Sequence, residues 1–308
     1  MDILGKRYWY FALSALLILP GMIALAVWGL PLAIDFTGGS LLEVSFNSGR
    51  APAPAQVTAL YEQELGITNT RVQTVGADRI IVRSPFLDDE TRARVIETME
   101  RRFNDTVTLQ RFDSVGPTIG QEVAARAALA VTVAALLVVV YVYFAFRGLA
   151  HSLRYGVCAI IAMIHDVAIV MSLAAIGGHF FGWQIDSLFL TAMLTVVGFS
   201  VQDKIVVFDR IRENSGIYRR LPFETLVNHS IVQTLQRSIN TQLMTVQFLL
   251  LALALFGGIT LREFAITLVV GLLSGTYSSI FIAAPVLVVW ENREWLNWFR
   301  PQRAELTA

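Results

Sequence analysis

The sequence predicts an α-helical membrane protein of six spans, with a small water-facing domain of mixed helix and strand between the first and second. Three observations carry this. The 308 residues are 55% hydrophobic and only 16% charged, with a mean hydropathy of +0.58. Soluble domains carry about 25% charged residues, so this balance belongs to the bilayer. Six apolar runs approach the roughly 20 residues that a helix needs to cross it. The charges are also unevenly placed: 23 of the 48 lie between Asp35 and Arg126, which marks that stretch as aqueous.

The first run, Trp9–Gly29, follows Lys6-Arg7 and stays apolar to Leu32. That is longer than a signal-peptide core, so it is read as a retained anchor. The remaining spans are expected at Arg126–Phe146, Tyr155–Ile176, Leu188–Phe208, Asn240–Phe256 and Phe264–Trp290, the last kinked or tilted near Pro285. The boundaries are then residues 1–29 for the amino terminus and first helix, 30–125 for the outer domain, 126–290 for the other five helices, and 291–308 for a tail. Arginine and lysine in the short loops fall on one side: Lys6 and Arg7, Arg147 and Arg154, Arg210 to Arg220, and Arg293 to Arg303. The loops Gly177–Ser187 and Gly257–Glu263 hold only Arg262. The positive-inside rule therefore puts both termini in the cytosol, and the outer domain follows on the far side.

Within that domain Leu41–Phe46 alternates like a strand, and Pro54–Leu65 has helical spacing. Thr70–Val75 and Arg79–Ser84 are strand-like about the turn Gly76-Ala77-Asp78. Asp88 is placed to cap a helix Asp89–Phe103, acidic in its first turn and ending in Arg101 and Arg102. Thr106–Phe112 is a last strand. The order β-α-β-β-α-β is ferredoxin-like, a fold that hosts many functions and identifies none. Gly38-Gly39 is read as a turn entering the first strand.

The composition also excludes functions. Basic and acidic residues balance at 24 each, so no nucleic-acid partner is indicated. Cys158 is the only cysteine, His151, His165, His179 and His229 lack metal-ligand spacing, and no phosphate-binding glycine loop occurs. Neither an enzyme nor a cofactor or metal is expected.

The chemistry lies where charge enters apolar runs. In "GFSVQDKIVVFDRIREN" (Gly198–Asn214) Asp203 stands before four more apolar residues, inside the cytosolic half of its span. A lipid-facing carboxylate costs a few kcal/mol, so Asp203 should face other helices. Lys204 lies about 100° round the helix from it and is expected to snorkel to the cytosolic surface. Partnership with an acid on another helix is the lesser reading. His165-Asp166 falls about 18 Å into the third span at 1.5 Å per residue, near the midplane, where such pairs mark proton relays. Arg237 opens the fifth span at a depth that lets it meet Asp203, which makes the two a candidate proton-exchanging pair.

Six stretches in order, "IDFTGGSLLEVSF" (Ile34–Phe46), "VGPTIGQEV" (Val115–Val123), "IHDVAIV" (Ile164–Val170), "GFSVQDKIVVFDRIREN", "SINTQL" (Ser238–Leu243) and "GTYSSIFIAAPVLVVW" (Gly275–Trp290), resemble the SecD/SecF group of bacterial protein-export subunits. That group lies within the resistance-nodulation-division transporters, and the resemblance covers nearly the whole chain. One departure is Lys204, where a small or hydroxyl residue is expected after the aspartate. The resemblance implies a multi-pass protein of the bacterial inner membrane that uses the proton-motive force to help export unfolded secretory proteins. It implies a SecD-like partner as the second six-helix half, and the SecYEG channel as the machine served. It assigns the residues matching Asp203 and Arg237 to the proton pathway, with Asp166 as a weaker, interhelical candidate. The alternative is half of a proton-driven small-molecule exporter, whose outer domain would present an apolar pocket. A third reading is a scaffold in which the acids only lock helix packing.

Overall fold

The computed structural model describes residues 2–147, 152–242, 244, 250–257 and 259–296. These form two compact units. One comprises the described residues up to Leu30, then Thr132–Trp183, and those from Leu188 onward; the other comprises Pro31–Val131 with Gln184–Ser187.

The first unit is helical. Its elements are α1 (Arg7–Trp28), the second half of α5 (Pro117–Phe146), α6 (Ser152–Phe181), α7 (Ser187–Ile217), α8 (Phe223–Gln242), α9 (Leu251–Phe256), α10 (Ile259–Ser278) and α11 (Ala284–Glu291). Among the described residues five stretches are long and apolar enough to cross a membrane: Leu4–Trp28, Pro117–Phe146, Ser152–Phe181, Ser187–Ile217 and Leu261–Glu291. The sixth predicted span, Asn240–Phe256, lies partly outside the described residues. Apolar side chains such as Leu136 and Leu137 on α5 and Leu16 and Ile23 on α1 point outward. That is how a helix solvated by lipid differs from one solvated by water, because acyl chains cost leucine nothing.

Small residues set how closely the helices approach. A Cβ added at Gly21 of α1 would come within 2.0 Å of the Ser172 Cβ on α6, and one at Gly271 within 2.2 Å of a Val196 methyl on α7. Rings fill the wider gaps: Phe208 of α7 meets Phe146 of α5 at 5.5 Å and Tyr155 of α6 at 5.4 Å between centroids. Near the start of α1, Arg7 bonds Glu224 at 2.6 Å and Glu294 at 2.7 Å, tying α1 to α8 and to the turn after α11.

The kink expected near Pro285 takes a definite form. Proline has no N–H and its ring crowds the carbonyl four residues back. The chain widens into a π turn over Ser279–Ala283 before α11 begins, with Pro285 in the first turn of that helix. Ser279, Ile280, Ile282 and Ala283 are all buried there.

The second unit holds the elements predicted for the outer domain, within a few residues at their ends. They are β1 (Gly39–Phe46), α3 (Pro54–Gln63), β2 (Arg71–Val75), β3 (Arg79–Ser84), α4 (Asp89–Phe103) and β4 (Val107–Val115), after a short helix α2 (Ile34–Thr37). The sheet order is β2-β3-β1-β4 and every pair is antiparallel. Period-two alternation sends Leu42, Val44 and Phe46 of β1 and Ile80 and Val82 of β3 into one core, with Val57, Leu60 and Tyr61 of α3 and Val95 and Met99 of α4. Asp88 caps α4 as expected, its Oδ1 accepting from Thr91 N at 2.8 Å, and Asn104 ends the helix in the left-handed region at φ 48°. Hydrogen bonds from Thr91 hold the Asp88 carboxyl below the usual carboxylate range.

Gly38-Gly39 does more than turn the chain. Both have positive φ, 73° and 126°, and a Cβ on Gly38 would lie 2.8 Å from Pro117 Cα. One on Gly120 would lie 2.5 Å from Gly38 N, so the "TGG" and "GPTIG" stretches meet backbone to backbone. Asp35 of the same turn accepts from the Ser187 N–H at 3.0 Å and hydroxyl at 2.8 Å.

Candidate functional site

Three helices of the apolar unit each direct polar side chains at one buried point. On α7, Ser200 and Lys204 are four residues apart and so share a face; on α10, Ser274 and Ser278 do the same. Between them stands Asp166 of α6. Asp166, Lys204 and Ser278 are wholly buried, and Ser200 is 1% exposed.

Four groups donate to the Asp166 carboxylate, and His165 is a fifth donor in its Nδ1-protonated form. Oδ2 accepts from Ser200 Oγ at 2.6 Å, Ser278 Oγ at 2.7 Å and Lys204 Nζ at 2.8 Å. Oδ1 accepts from Ser274 Oγ at 2.7 Å and lies 3.1 Å from His165 Nδ1. An ionised carboxylate only accepts, whereas a protonated one must also donate. A carboxylate facing five donors is therefore held as the anion, with the Lys204 ammonium as its counter-charge. The expectation that Lys204 snorkels is wrong. Its stem runs inward, because Asp166 and three serine oxygens replace the water that its ammonium would otherwise seek. Partnership with an acid on another helix, the lesser reading, is what occurs.

His165 pairs with Asp166 as its position suggests. Its ring lies nearly parallel to that of Tyr277, at 25° and 6.0 Å between centroids, and Nε2 is buried without a hydrogen-bond partner. The Tyr277 hydroxyl in turn donates to the Tyr10 carbonyl of α1 at 3.0 Å.

Asp203 occupies a different setting one helical step away. It is 8% exposed. Gln242 Nε2 of α8 donates to its Oδ2 at 3.0 Å, and Thr276 Oγ1 of α10 lies 3.3 Å from the same atom. Thr276 has one hydroxyl hydrogen and also sits 3.2 Å from the Leu272 carbonyl, so its bond to Asp203 is shared. Oδ1 accepts none among the described residues. Among the described residues Asp203 is thus a buried carboxylate with one oxygen unpartnered, where Asp166 has none.

The structure does not bring Arg237 to Asp203. The buried face of α8 runs through Leu226, Val227, Ser230, Ile231, Thr234, Ser238 and Gln242. Arg237 is exposed. Five residues separate Arg237 from Gln242, a rotation of about 140°, so only one of them can face α7. Sequence reasoning chose the charged residue of the two, and the amide holds the position. It missed Ser200, Ser274, Ser278, Thr276 and Gln242 as site residues. The signal was available in a serine–serine and a serine–lysine pair at four-residue spacing on apolar helices, a stripe that turns polar atoms toward one neighbour.

The family described as "Protein export membrane protein SecD/SecF, C-terminal" matches residues 95–293, and the "SecD/SecF GG Motif" matches residues 23–49. A "Protein translocase subunit SecF" from Anaerolinea thermophila is 68% identical over 97% of each chain. One from Thermobaculum terrenum is 44% identical, covering 100% of this chain and 99% of its own. The crystal structure of SecDF, a translocon-associated membrane protein from Thermus thermophilus, superposes with a TM-score of 0.82 at 33% identity. That match covers 95% of this chain and 39% of the SecDF chain.

Proposed function

The chain belongs to the SecD/SecF family of protein-export membrane proteins, and we propose that it is the SecF-type half of a proton-driven accessory to the Sec translocon. In this reading both termini are cytosolic, in the inner membrane of a bacterium. The β-α-β-β-α-β unit is a periplasmic ferredoxin-like domain. A SecD-like chain supplies the other half, as the longer SecDF chain suggests. The SecYEG channel and an unfolded secretory protein are the machine and the client.

The observation that carries the reading is Asp203, a buried carboxylate with one oxygen unpartnered among the described residues. It takes the proton there. Gln242 suits both states of that carboxyl. Its Nε2 donates to the carboxylate now, and its Oε1, buried without a partner, would accept from the protonated acid after an amide flip. Asp166, fixed as an anion by five donors, supplies the constant charge against which Asp203 titrates. Arg237 is exposed, about 8 Å along the axis of α8 from Gln242, and meets Asp203 only when α8 rearranges. Moving one charge across the membrane yields about 2.3 kcal/mol per 100 mV, enough to shift a two-state equilibrium about fifty-fold. One proton per cycle therefore suffices to bias an outer-domain movement.

The exporter reading has one observation in its favour, a cavity of about 750 Å³ in the outer domain. Its lining mixes Phe46 and Phe103 with Arg50, Gln56 and Asp105, so it is not the apolar pocket that reading expects. The test is Asp203→Asn in the full chain with its partner. Assembly should be intact, and export of a secretory precursor into inverted vesicles should no longer respond to a collapsed gradient. Normal export that still responds would move the relay elsewhere.

A further inference from the structure

Lys204 sits where a free cation would sit. Its Nζ is surrounded by four oxygens: Asp166 Oδ2 at 2.8 Å, Ser200 Oγ at 2.5 Å, the Ser200 carbonyl at 3.1 Å and Ser278 Oγ at 3.0 Å. An ammonium has only three N–H donors, so the shell holds one oxygen more than it can hydrogen-bond. A spherical ion has no such limit. The two hydroxyls also donate to Asp166 Oδ2, at 2.6 and 2.7 Å, and this turns their lone pairs toward Nζ. Carboxylate, carbonyl and hydroxyl oxygens form the donor set of a hard cation, and this one lies out of reach of solvent.

We propose that Asp166, Ser200 and Ser278 form a monovalent-cation site that the tethered ammonium of Lys204 fills, making Lys204 the residue that sets ion specificity. By occupying the shell, Lys204 closes this chain to alkali cations and leaves the proton at Asp203 as the ion that moves. That consequence rests on the proton-coupled reading above; the site itself rests on the four oxygens. Removing the ammonium while leaving space should open the shell to an external ion.

The experiment compares Lys204→Ser with the unaltered full chain in detergent, melted in sodium, potassium or choline chloride at equal ionic strength. The variant should melt about 5 °C higher in at least one alkali salt than in choline, and the unaltered chain should show no difference. Lys204→Ser combined with Asp166→Asn should lose the response, because the shell has lost its charge. Equal melting of Lys204→Ser in all three salts overturns the proposal. So does failure of that variant to fold in every salt, with or without Asp166→Asn. The readout is independent of export. A variant that binds alkali ions while Asp203→Asn still exports on the gradient would leave the site standing and remove the proton reading.

Discussion

Replacing Lys204 by methionine isolates the worth of the buried pair. The thioether keeps the length and apolar stem but removes the charge, stranding the Asp166 anion with no countercharge. Breaking one side of a buried ion pair costs about 3–5 kcal/mol. Here the carboxylate retains four of its five donors, from Ser200, Ser274, Ser278 and His165, which places the expected loss near the lower figure, about 3 kcal/mol. Asp166→Asn strands the ammonium instead and should cost about as much. The double variant buries no charge and should be less destabilised than either single one, the mark of a coupled pair. Denaturant unfolding in detergent, followed by helical circular dichroism, reads all four corners of the cycle. Singles that each cost under about 1 kcal/mol and simply add would refute the argument, because no buried, mutually compensated charge behaves that way.

Two further outcomes follow from the packing and the caps. Gly21→Val drives a side chain into Ser172, 2.0 Å from where its Cβ must go, with backbone close behind. It should cost about 1–3 kcal/mol or part α1 from α6, read by melting and by cross-linking across that pair. Asp88→Asn keeps the capping hydrogen bond of α4 but removes the negative charge that the helix N-terminus favours, so the unaltered chain should be somewhat more stable at neutral pH. The Asp88 carboxyl is depressed by its bonds from Thr91, so its stabilisation is complete above the ordinary carboxylate pKa and fades as pH falls through the lower folded value. The melting advantage of the unaltered chain over Asp88→Asn should therefore shrink between pH 5 and about pH 2, and an advantage that grows on acidification would contradict the cap.

Local pattern made much of this fold legible. The alternation of Leu42, Val44 and Phe46, the Asp88 cap and the acidic start of α4 each act within a few residues, and each appears where the sequence puts it. The candidate site was legible at Asp203 and at His165-Asp166, because charge inside an apolar run needs no tertiary knowledge to be noticed. What lay beyond reach was helix phase. Lys204 reaches Asp166 across 38 residues of sequence, and nothing local says whether a lysine stem runs toward the surface or the bundle. Arg237 and Gln242 sit on one helix at compatible depths, so depth alone could not choose between them. The Gly38–Gly120 contact was hidden likewise, since the turn before β1 and the first turn of α5 are brought together by the pairing of Gly39 with Val115, far apart in sequence.

The π turn before Pro285 bears on phase too, as a matter of rotation along one rod. Each α-helical residue advances the helix by about 100°, and a π turn accommodates one residue without spending that advance. Upstream, Ser274 and Ser278 look at Asp166; downstream, Ala284, Leu287 and Val288 look into apolar packing. Two different clients are thus served by one rod because a single extra residue resets its bearing between them. Forcing Ser279–Ala283 into regular α-helix with its residue count kept would turn α11 by about a quarter of a revolution, delivering its outward side chains to the core while the serines kept their aim, whereas deleting one residue there would remove the π turn and leave both bearings unchanged.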